Sequence, residues 1–149
     1  MIDSTVNLKN VYQTAAQMRR FVENYYKDLG LWLNVPLIEF YAHVCGLPYR
    51  PDPIGVETVS RPRYTLNPDY APRDCDDKAV LIASWCQGNG RKKRFVSTST
   101  RPDRRLCHVF VQLDNGLFLD ATYPTFRNYM GNYPYFPKVT NLEGLTEFF

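Results

Sequence analysis

A helical segment over residues 75–87 constrains the fold more than any other feature of the sequence, because it is apolar on nearly every side. Its sequence is CDDKAVLIASWCQ. Asp74 is a good N-cap, two further aspartates lie in the first turn where the helix dipole favours negative charge, and Gly88-Asn89-Gly90 ends the pattern. A helix that is apolar all round has to be buried, so the rest of the chain must form layers around it.

Two more helices and a long connection precede this segment. Hydrophobic residues three and four positions apart predict a helix over 6–29, with Ser4 or Thr5 as its cap. A proline at the first position and a glycine after the last predict a second helix over 36–45. The proline-rich residues 47–74 predict an ordered irregular chain, which is long for a connection without function.

Strand patterns follow the central helix. Residues 94–98 predict one strand, and the alternation over 106–113 predicts a second. Asp114-Asn115-Gly116 turns the chain into a returning strand over 117–122, which is a strong hairpin signal. Residues 141–147 predict a last short helix. The expected class is α+β, with the central helix packed on an antiparallel sheet.

Length and composition fit one globular domain. The chain has 149 residues and a net charge of +3, which is too small to imply a nucleic-acid partner. We expect a core over 36–125, an N-terminal helical segment over 1–35 and an aromatic C-terminal tail over 126–149. No stretch approaches the roughly 18 apolar residues that span a bilayer, and the first residues lack a secretory signal. We therefore expect a cytoplasmic protein with no membrane partner.

The cysteines and histidines do not have the spacing of a zinc site. There is no CxxC pair, and the only two histidines are His43 and His108. Reduced thiols and no metal are expected. His43 follows helical spacing and is interpreted as a residue at the edge of the core. Three of the four cysteines are interpreted as buried apolar fillers: Cys45, Cys86 and Cys107.

Cys75 is the thiol whose position suggests reactivity. The N–H groups and dipole at a helix start stabilise a thiolate, so its pKa is expected to fall. A thiolate attacks amide and ester carbonyls. The adjacent aspartates oppose this effect, and only a paired imidazolium would outweigh them. The alternative is a small apolar residue that fills the helix start.

His108 and Asp120 lie on the two strands of the predicted hairpin, and the loop length decides whether they meet. A two-residue loop sets Asp120 on the sheet face opposite to His108. A three-residue loop, residues 114–116, sets Asp120 opposite Phe110 and makes it a diagonal neighbour of His108 on the same face. Asp-Asn-Gly suits a three-residue loop that ends in a left-handed glycine.

Three motifs together resemble the transglutaminase-like superfamily of cysteine enzymes, in the form found in bacteria and bacteriophages. They are RDCDDKAVLIASW, then CHVFVQL, whose histidine follows Cys75 by 33 residues, then GLFLDATYP, whose aspartate follows that histidine by 12 residues. The upstream YRPDPIGVET is also similar to such members. The resemblance covers roughly residues 36–125 and implies a papain-like fold.

The resemblance also implies roles for these residues. Cys75 would be the nucleophile, His108 the general base and then acid, and Asp120 the residue that orients the imidazole. The Cys75 N–H would be one oxyanion donor, and Tyr49 is a candidate for a second. The implied chemistry is peptide or amide hydrolysis, or acyl transfer, on a protein or peptide substrate. No cofactor is implied.

Two other functions stay open. The chain could be a structural component of a bacteriophage particle that keeps the fold and acts by binding other phage proteins, in the virion or the host cytoplasm. It could also bind nucleic acid through the basic run 91–94 with Arg101, Arg104 and Arg105, although a solvated turn is the simpler interpretation of that run.

Overall fold

The structure, a computed structural model, describes residues 10–52, 58–70, 73–98, 108–122 and 142–149. In these ranges the chain is α+β, as predicted, with four α-helices, one 3₁₀ segment and a four-stranded antiparallel sheet. The helices are α1 (Val11–Tyr25), α2 (Leu37–Cys45), α3 (Pro62–Leu66) and α4 (Cys75–Gly88), and the 3₁₀ segment is Tyr26–Asn34. The strands are β1 (Lys93–Thr98), β2 (His108–Leu113), β3 (Phe118–Leu119) and β4 (Glu143–Gly144).

Helix α4 is the centre of the fold, which confirms the expectation from its all-round apolar sequence. Its residues from Asp76 to Ser84 are all buried, and so is Cys86. The helix contacts α1, α2, α3 and the 3₁₀ segment on one side and strands β1 and β2 on the other. Together these elements bury one main hydrophobic cluster.

The N-terminal helix differs in its bounds from the prediction over 6–29. Asn10 caps α1, because its side-chain oxygen accepts a hydrogen bond of 3.0 Å from the Gln13 N–H. After Tyr25 the chain tightens into the 3₁₀ segment, which is interrupted at Gly30, where φ is +56°. The predicted caps Ser4 and Thr5 lie outside the described residues. Ala15, Met18 and Val22 belong to the main hydrophobic cluster, so this helix packs against the same core as α4.

The predicted hairpin forms with the three-residue loop. Val111 pairs with Leu119 and Gln112 with Phe118, and the Leu113 N–H donates to the Leu117 carbonyl across 2.9 Å. Gly116 has a φ of +91°, which a glycine adopts without strain. The side chains of β2 then alternate between the faces of the sheet. Val109, Val111 and Leu113 join the α4 core, whereas Phe110 joins a smaller cluster with Val96 and Phe118.

The sheet has the strand order β3-β2-β1-β4. The helix predicted over 141–147 is wrong in the described residues 142–147, where β4 forms instead. The segment pairs along β1 instead. The Leu145 N–H donates to the Phe95 carbonyl across 2.8 Å, and the Thr146 hydroxyl accepts from the Phe95 N–H. The backbone of Phe149 then exchanges hydrogen bonds with Lys93. Most of the predicted aromatic tail, residues 126–141, lies outside the described residues.

The irregular segment predicted over 47–74 contains only short regular elements in its described parts. Helix α3 begins with a proline at its first position, and a single antiparallel bridge joins Arg50 to Arg73. The bridge brings the start of this segment back to Arg73, the residue that precedes the cap of α4. None of the described helices is long and apolar enough to cross a bilayer.

Candidate active site

His108 and Asp120 meet in the structure. The His108 Nε2 atom lies 2.5 Å from Asp120 Oδ2, and both side chains are buried, with 3% and 1% of their surface exposed. The hairpin register sets Asp120 opposite Phe110, and the imidazole of His108 stacks on the Phe110 ring with 5.5 Å between the ring centroids. The predicted diagonal contact is therefore confirmed. The Asp120 contact engages Nε2, so proton exchange with a reacting group would use Nδ1.

Four hydrogen bonds fix the backbone and the carboxylate around this contact. The Thr122 N–H donates to Asp120 Oδ1 across 3.0 Å, which directs Oδ2 to the imidazole. The Tyr41 hydroxyl donates to the Asp120 carbonyl across 2.8 Å. Lys78 Nζ donates to the Ala121 carbonyl across 3.4 Å. On the neighbouring strand, the Ser97 hydroxyl donates to the His108 carbonyl across 2.8 Å.

Cys75 is the first residue of α4, and its N-cap is well formed. The Asp74 carboxylate accepts hydrogen bonds from the N–H groups of Asp76 and Asp77, and the Asp77 carboxylate accepts one from the Asp74 N–H. This reciprocal capping box confirms the predicted start of the helix. Cys75 is half-buried, and the backbone N–H of Val109, the residue after His108, lies close enough to the sulfur to lower the pKa of the thiol. The sulfur therefore lies beside the strand that carries the imidazole.

The pKa expected for the Cys75 thiol is wrong in direction. Burial raises this pKa well above its usual range, and the charges of Asp76 and Asp74 raise it further, while the Val109 N–H lowers it. The thiol donates a weak hydrogen bond to Asp76 Oδ1 across 3.8 Å. Desolvation and nearby carboxylates outweigh the favourable field of the helix start. The thiol is therefore protonated at neutral pH in this structure.

A group of buried carboxyls supports the start of α4. Burial raises the pKa of Asp77 to about 7, and Asp77 also accepts a hydrogen bond of 3.1 Å from the Ser60 N–H. Burial and the charge of Asp76 raise the pKa of Asp74 well above its usual range. The charges of Asp77 and Asp52 raise it further, so the Asp52 carboxyl lies close to the N-cap. The group thus ties the loop at Asp52 to the helix.

Tyr49, the candidate second oxyanion donor, lies close enough to Cys75 to interact with it electrostatically. Burial of its hydroxyl raises the pKa of Tyr49, and the charges of Cys75 and Asp74 add to this effect. Half of its side-chain surface is exposed. The structure thus brings Tyr49 to the thiol, and its role as a donor stays a prediction.

The other described cysteines and His43 have no role in the His108–Asp120 hydrogen bond. Cys86 is fully buried and Cys45 is half-buried, and all three described cysteines are free thiols. Cys107, Arg101, Arg104 and Arg105 lie outside the described residues. His43 is half-buried and stacks on Trp32 with 4.3 Å between the ring centroids, which is in keeping with its interpretation as a core-edge residue.

The basic run 91–94 is not the solvated turn that was expected. Lys93 begins β1 and is 1% exposed, and its ammonium hydrogen-bonds the Gln87 side chain and lies 4.0 Å from the centroid of the Phe149 ring. Arg94 is half-buried and donates to Gln112 across 2.9 Å. Two of the four basic side chains are thus used within the fold, which weakens the nucleic-acid hypothesis.

Sequence reasoning missed Tyr41 and Lys78, the two side chains that reach the Asp120–Ala121 backbone. Lys78 had a signal, because a single cation in an otherwise apolar buried helix needs a partner. Tyr41 had none, since a tyrosine in an amphipathic helix is ordinary. Among the residues that the structure describes, no group of three or more His, Cys, Asp or Glu side chains could hold a metal ion.

Comparisons of the chain with family models, curated proteins and solved structures return no match.

Proposed function

We propose that the chain is a cysteine-dependent enzyme of amide-bond chemistry with a transglutaminase-like, papain-like fold, in which Cys75, His108 and Asp120 form the catalytic triad. The observation that carries the proposal is the 2.5 Å contact between His108 Nε2 and Asp120 Oδ2. The residue after His108, Val109, lies close enough to the Cys75 sulfur for its N–H to lower the pKa of the thiol. A buried imidazole held by a carboxylate, on a strand that approaches a thiol at a helix start, supplies the groups that nucleophilic catalysis requires.

The raised thiol pKa determines how such a reaction would begin. Because the resting thiol is protonated, His108 has to accept its proton through Nδ1 as the sulfur attacks, instead of stabilising a preformed thiolate. The proton is directed to Asp76 in the resting structure, so the thiol has to turn from that carboxylate to the imidazole. Asp120 would then stabilise the imidazolium that forms.

The remaining steps follow from the positions of these groups. The sulfur bonds to the carbonyl carbon, and the negative oxygen that results would accept a hydrogen bond from the Cys75 N–H at the helix start. His108 then gives its proton to the departing amine, which leaves a thioester on Cys75. Water, deprotonated by His108, would release an acid, whereas an amine would form a new amide.

A test that needs no knowledge of the natural substrate uses p-nitrophenyl acetate as the acyl donor. We expect release of p-nitrophenolate and a mass increase of one acetyl group on the peptide that carries Cys75. The adduct should be absent in Cys75→Ala and form at least about tenfold more slowly in His108→Ala, since general bases contribute about 10²- to 10⁴-fold.

The other free thiols serve as internal controls. Cys45 and Cys86 share the same protein and reagent, and we expect their peptides to remain unlabelled. If Cys75 is acetylated no faster than Cys45, or at the same rate in His108→Ala, the proposed chemistry is wrong.

A non-enzymatic binding role, such as a structural component of a bacteriophage particle, is the second candidate. The raised pKa of the Cys75 thiol favours it, because a protonated thiol beside carboxylates is a poor nucleophile. On this alternative, Cys75→Ala folds normally and keeps every binding property of the wild type, while the acetylation test is negative.

A further inference from the structure

Lys78 connects the helix that carries Cys75 with the chain that carries Asp120. It lies three residues after Cys75 on α4, so the two side chains leave nearby faces of the same helical turn. Lys78 is only 3% exposed, and its ammonium donates to the carbonyl of Ala121, the residue after Asp120.

Burying the ammonium of a lysine at this position costs free energy. Burial lowers the pKa of Lys78, and the nearby charge of Arg73 lowers it further, while Cys45 and Asp120 raise it. An apolar side chain of similar length would avoid the desolvation of the ammonium. Asp120 is therefore the carboxylate whose charge favours the protonated form of Lys78.

Tyr41 supports the same segment from the opposite helix. Its hydroxyl, on α2, donates to the Asp120 carbonyl, whereas Lys78 on α4 donates to the next carbonyl. Two consecutive carbonyls beyond the short strand β3 are thus held by buried polar side chains from two helices. This matters because β3 itself ends at Leu119, so the sheet ladder does not extend to Asp120.

We infer that Lys78 is a positioning residue for Asp120: it anchors the Asp120–Ala121 backbone to the helix that carries Cys75, and its positive charge balances the buried Asp120 carboxylate. The effect of Lys78 on catalysis rests on the proposed function, but its effect on the His108–Asp120 contact does not. Lys78 touches neither a substrate nor the reacting atoms, and it acts through Asp120.

The test uses Lys78→Met, which keeps the aliphatic length and removes the charge and the donor. Lys93→Met is the matched control, because Lys93 is also buried but lies beyond the other end of α4. The first readout is the downfield proton NMR resonance of the His108 ring N–H that faces Asp120, identified by its loss in His108→Ala. The second is the rate and pH profile of Cys75 acetylation.

We expect the resonance to be lost or broadened in Lys78→Met and unchanged in Lys93→Met. Acetylation of Cys75 should slow by about tenfold or more in Lys78→Met, because a small displacement of a catalytic group has effects of this size. Its pH profile should change as well, which a general loss of stability would not produce. Tyr41→Phe should weaken the resonance less, because it removes a donor and no charge.

The inference is overturned if Lys78→Met folds and retains the wild-type resonance. If that variant does not fold, the test uses the wild type instead. The His108 resonance of the wild type must shift over the pH range in which Lys78 loses its proton. A resonance that stays constant over that range overturns the inference. If the wild type forms no acetyl adduct, the proposed function fails, while the resonance still decides the role of Lys78.

Discussion

The Nε2 atom of His108 and the Oδ2 atom of Asp120 are 2.5 Å apart although twelve residues separate them in the chain. The contact depends on the hairpin between β2 and β3, whose loop has three residues and ends in Gly116 at positive φ. A second hydrogen bond, from the Thr122 N–H to Oδ1, fixes the orientation of the carboxylate. Local turn chemistry therefore brings the two groups to the same face of the hairpin, and the contacts of Tyr41 and Lys78 hold the Asp120–Ala121 backbone there.

Asp120→Asn should reduce the reactivity of Cys75 without removing the imidazole. The change replaces a hydrogen bond to a charged group, which contributes about 1.5 to 3 kcal/mol, by a neutral one. We expect the rate of Cys75 acetylation at pH 7 to fall by about 10- to 150-fold, the rate factors equivalent to those energies. Asp114→Asn, in the exposed hairpin loop, is the control and should react as the wild type does. A wild-type rate in Asp120→Asn would remove Asp120 from the mechanism.

Asp76→Asn should make Cys75 alkylate at a lower pH. The Asp76 charge follows burial as the largest cause of the raised thiol pKa, and its carboxylate lies 3.8 Å from the sulfur. Neutralising it favours the thiolate, so the midpoint of the pH dependence of iodoacetamide labelling should move downward. The exposed Asp69→Asn should leave the midpoint unchanged. An unchanged or higher midpoint in Asp76→Asn would contradict the electrostatic explanation.

Lys93→Met should stabilise the protein at pH 7. Burial lowers the pKa of Lys93 to about 8, whereas an unfolded lysine titrates near about 10.4. The difference of about 2 pKa units corresponds to a stability cost of up to about 3 kcal/mol that is fully present below pH 8. As pH rises from 8 to 10, Lys93 loses its proton in the folded protein before it does so in the unfolded chain. The wild type therefore gains stability relative to the variant over this range.

Urea unfolding of the two proteins at pH 7, 8, 9 and 10 measures this difference. The advantage of Lys93→Met should shrink steadily over the series, after allowance for the lost hydrogen bond to Gln87. A variant that is less stable than the wild type at pH 7, or an advantage that grows with pH, would show that Lys93 is compensated in the fold.

Gly116→Ala should lower the free energy of unfolding by about 1 to 2 kcal/mol, the usual cost of left-handed backbone for a residue with a Cβ. The space around Gly116 is open, so the cost arises from the backbone alone. Gly46→Ala is the control, because Gly46 has a φ of −79° and its added Cβ would make ordinary contacts. Chemical unfolding should show Gly46→Ala unchanged or more stable, and equal effects of the two substitutions would contradict the argument.

The parts of the fold that depend on local chemistry could be predicted from the sequence. The Asp74 cap, the buried α4 and the odd-length hairpin loop each follow from a few neighbouring residues, and the structure confirms all three. The meeting of His108 with Asp120 follows from the loop, so half of the candidate site was predictable in the same way.

Features set by distant contacts could not be predicted. The segment at 143–144 has too short a pattern to indicate a strand, and it forms β4 because β1 offers it an edge. Lys93 is buried because Phe149 covers it, although its neighbours in sequence are basic. The thiol pKa depends first on the burial of Cys75, which no linear pattern reveals, and then on the charges of Asp76 and Asp74.

The three-residue loop between β2 and β3 has a consequence for how the chain can vary. Lengthening or shortening the loop by one residue would turn every side chain of the returning strand to the other face of the sheet. The carboxylate would then be separated from the imidazole, although the cysteine would not move. Homologues that preserve both groups should therefore carry turns whose lengths differ from this one in steps of two. A paralogue with an even-numbered turn should keep the scaffold and lack the contact between the two groups.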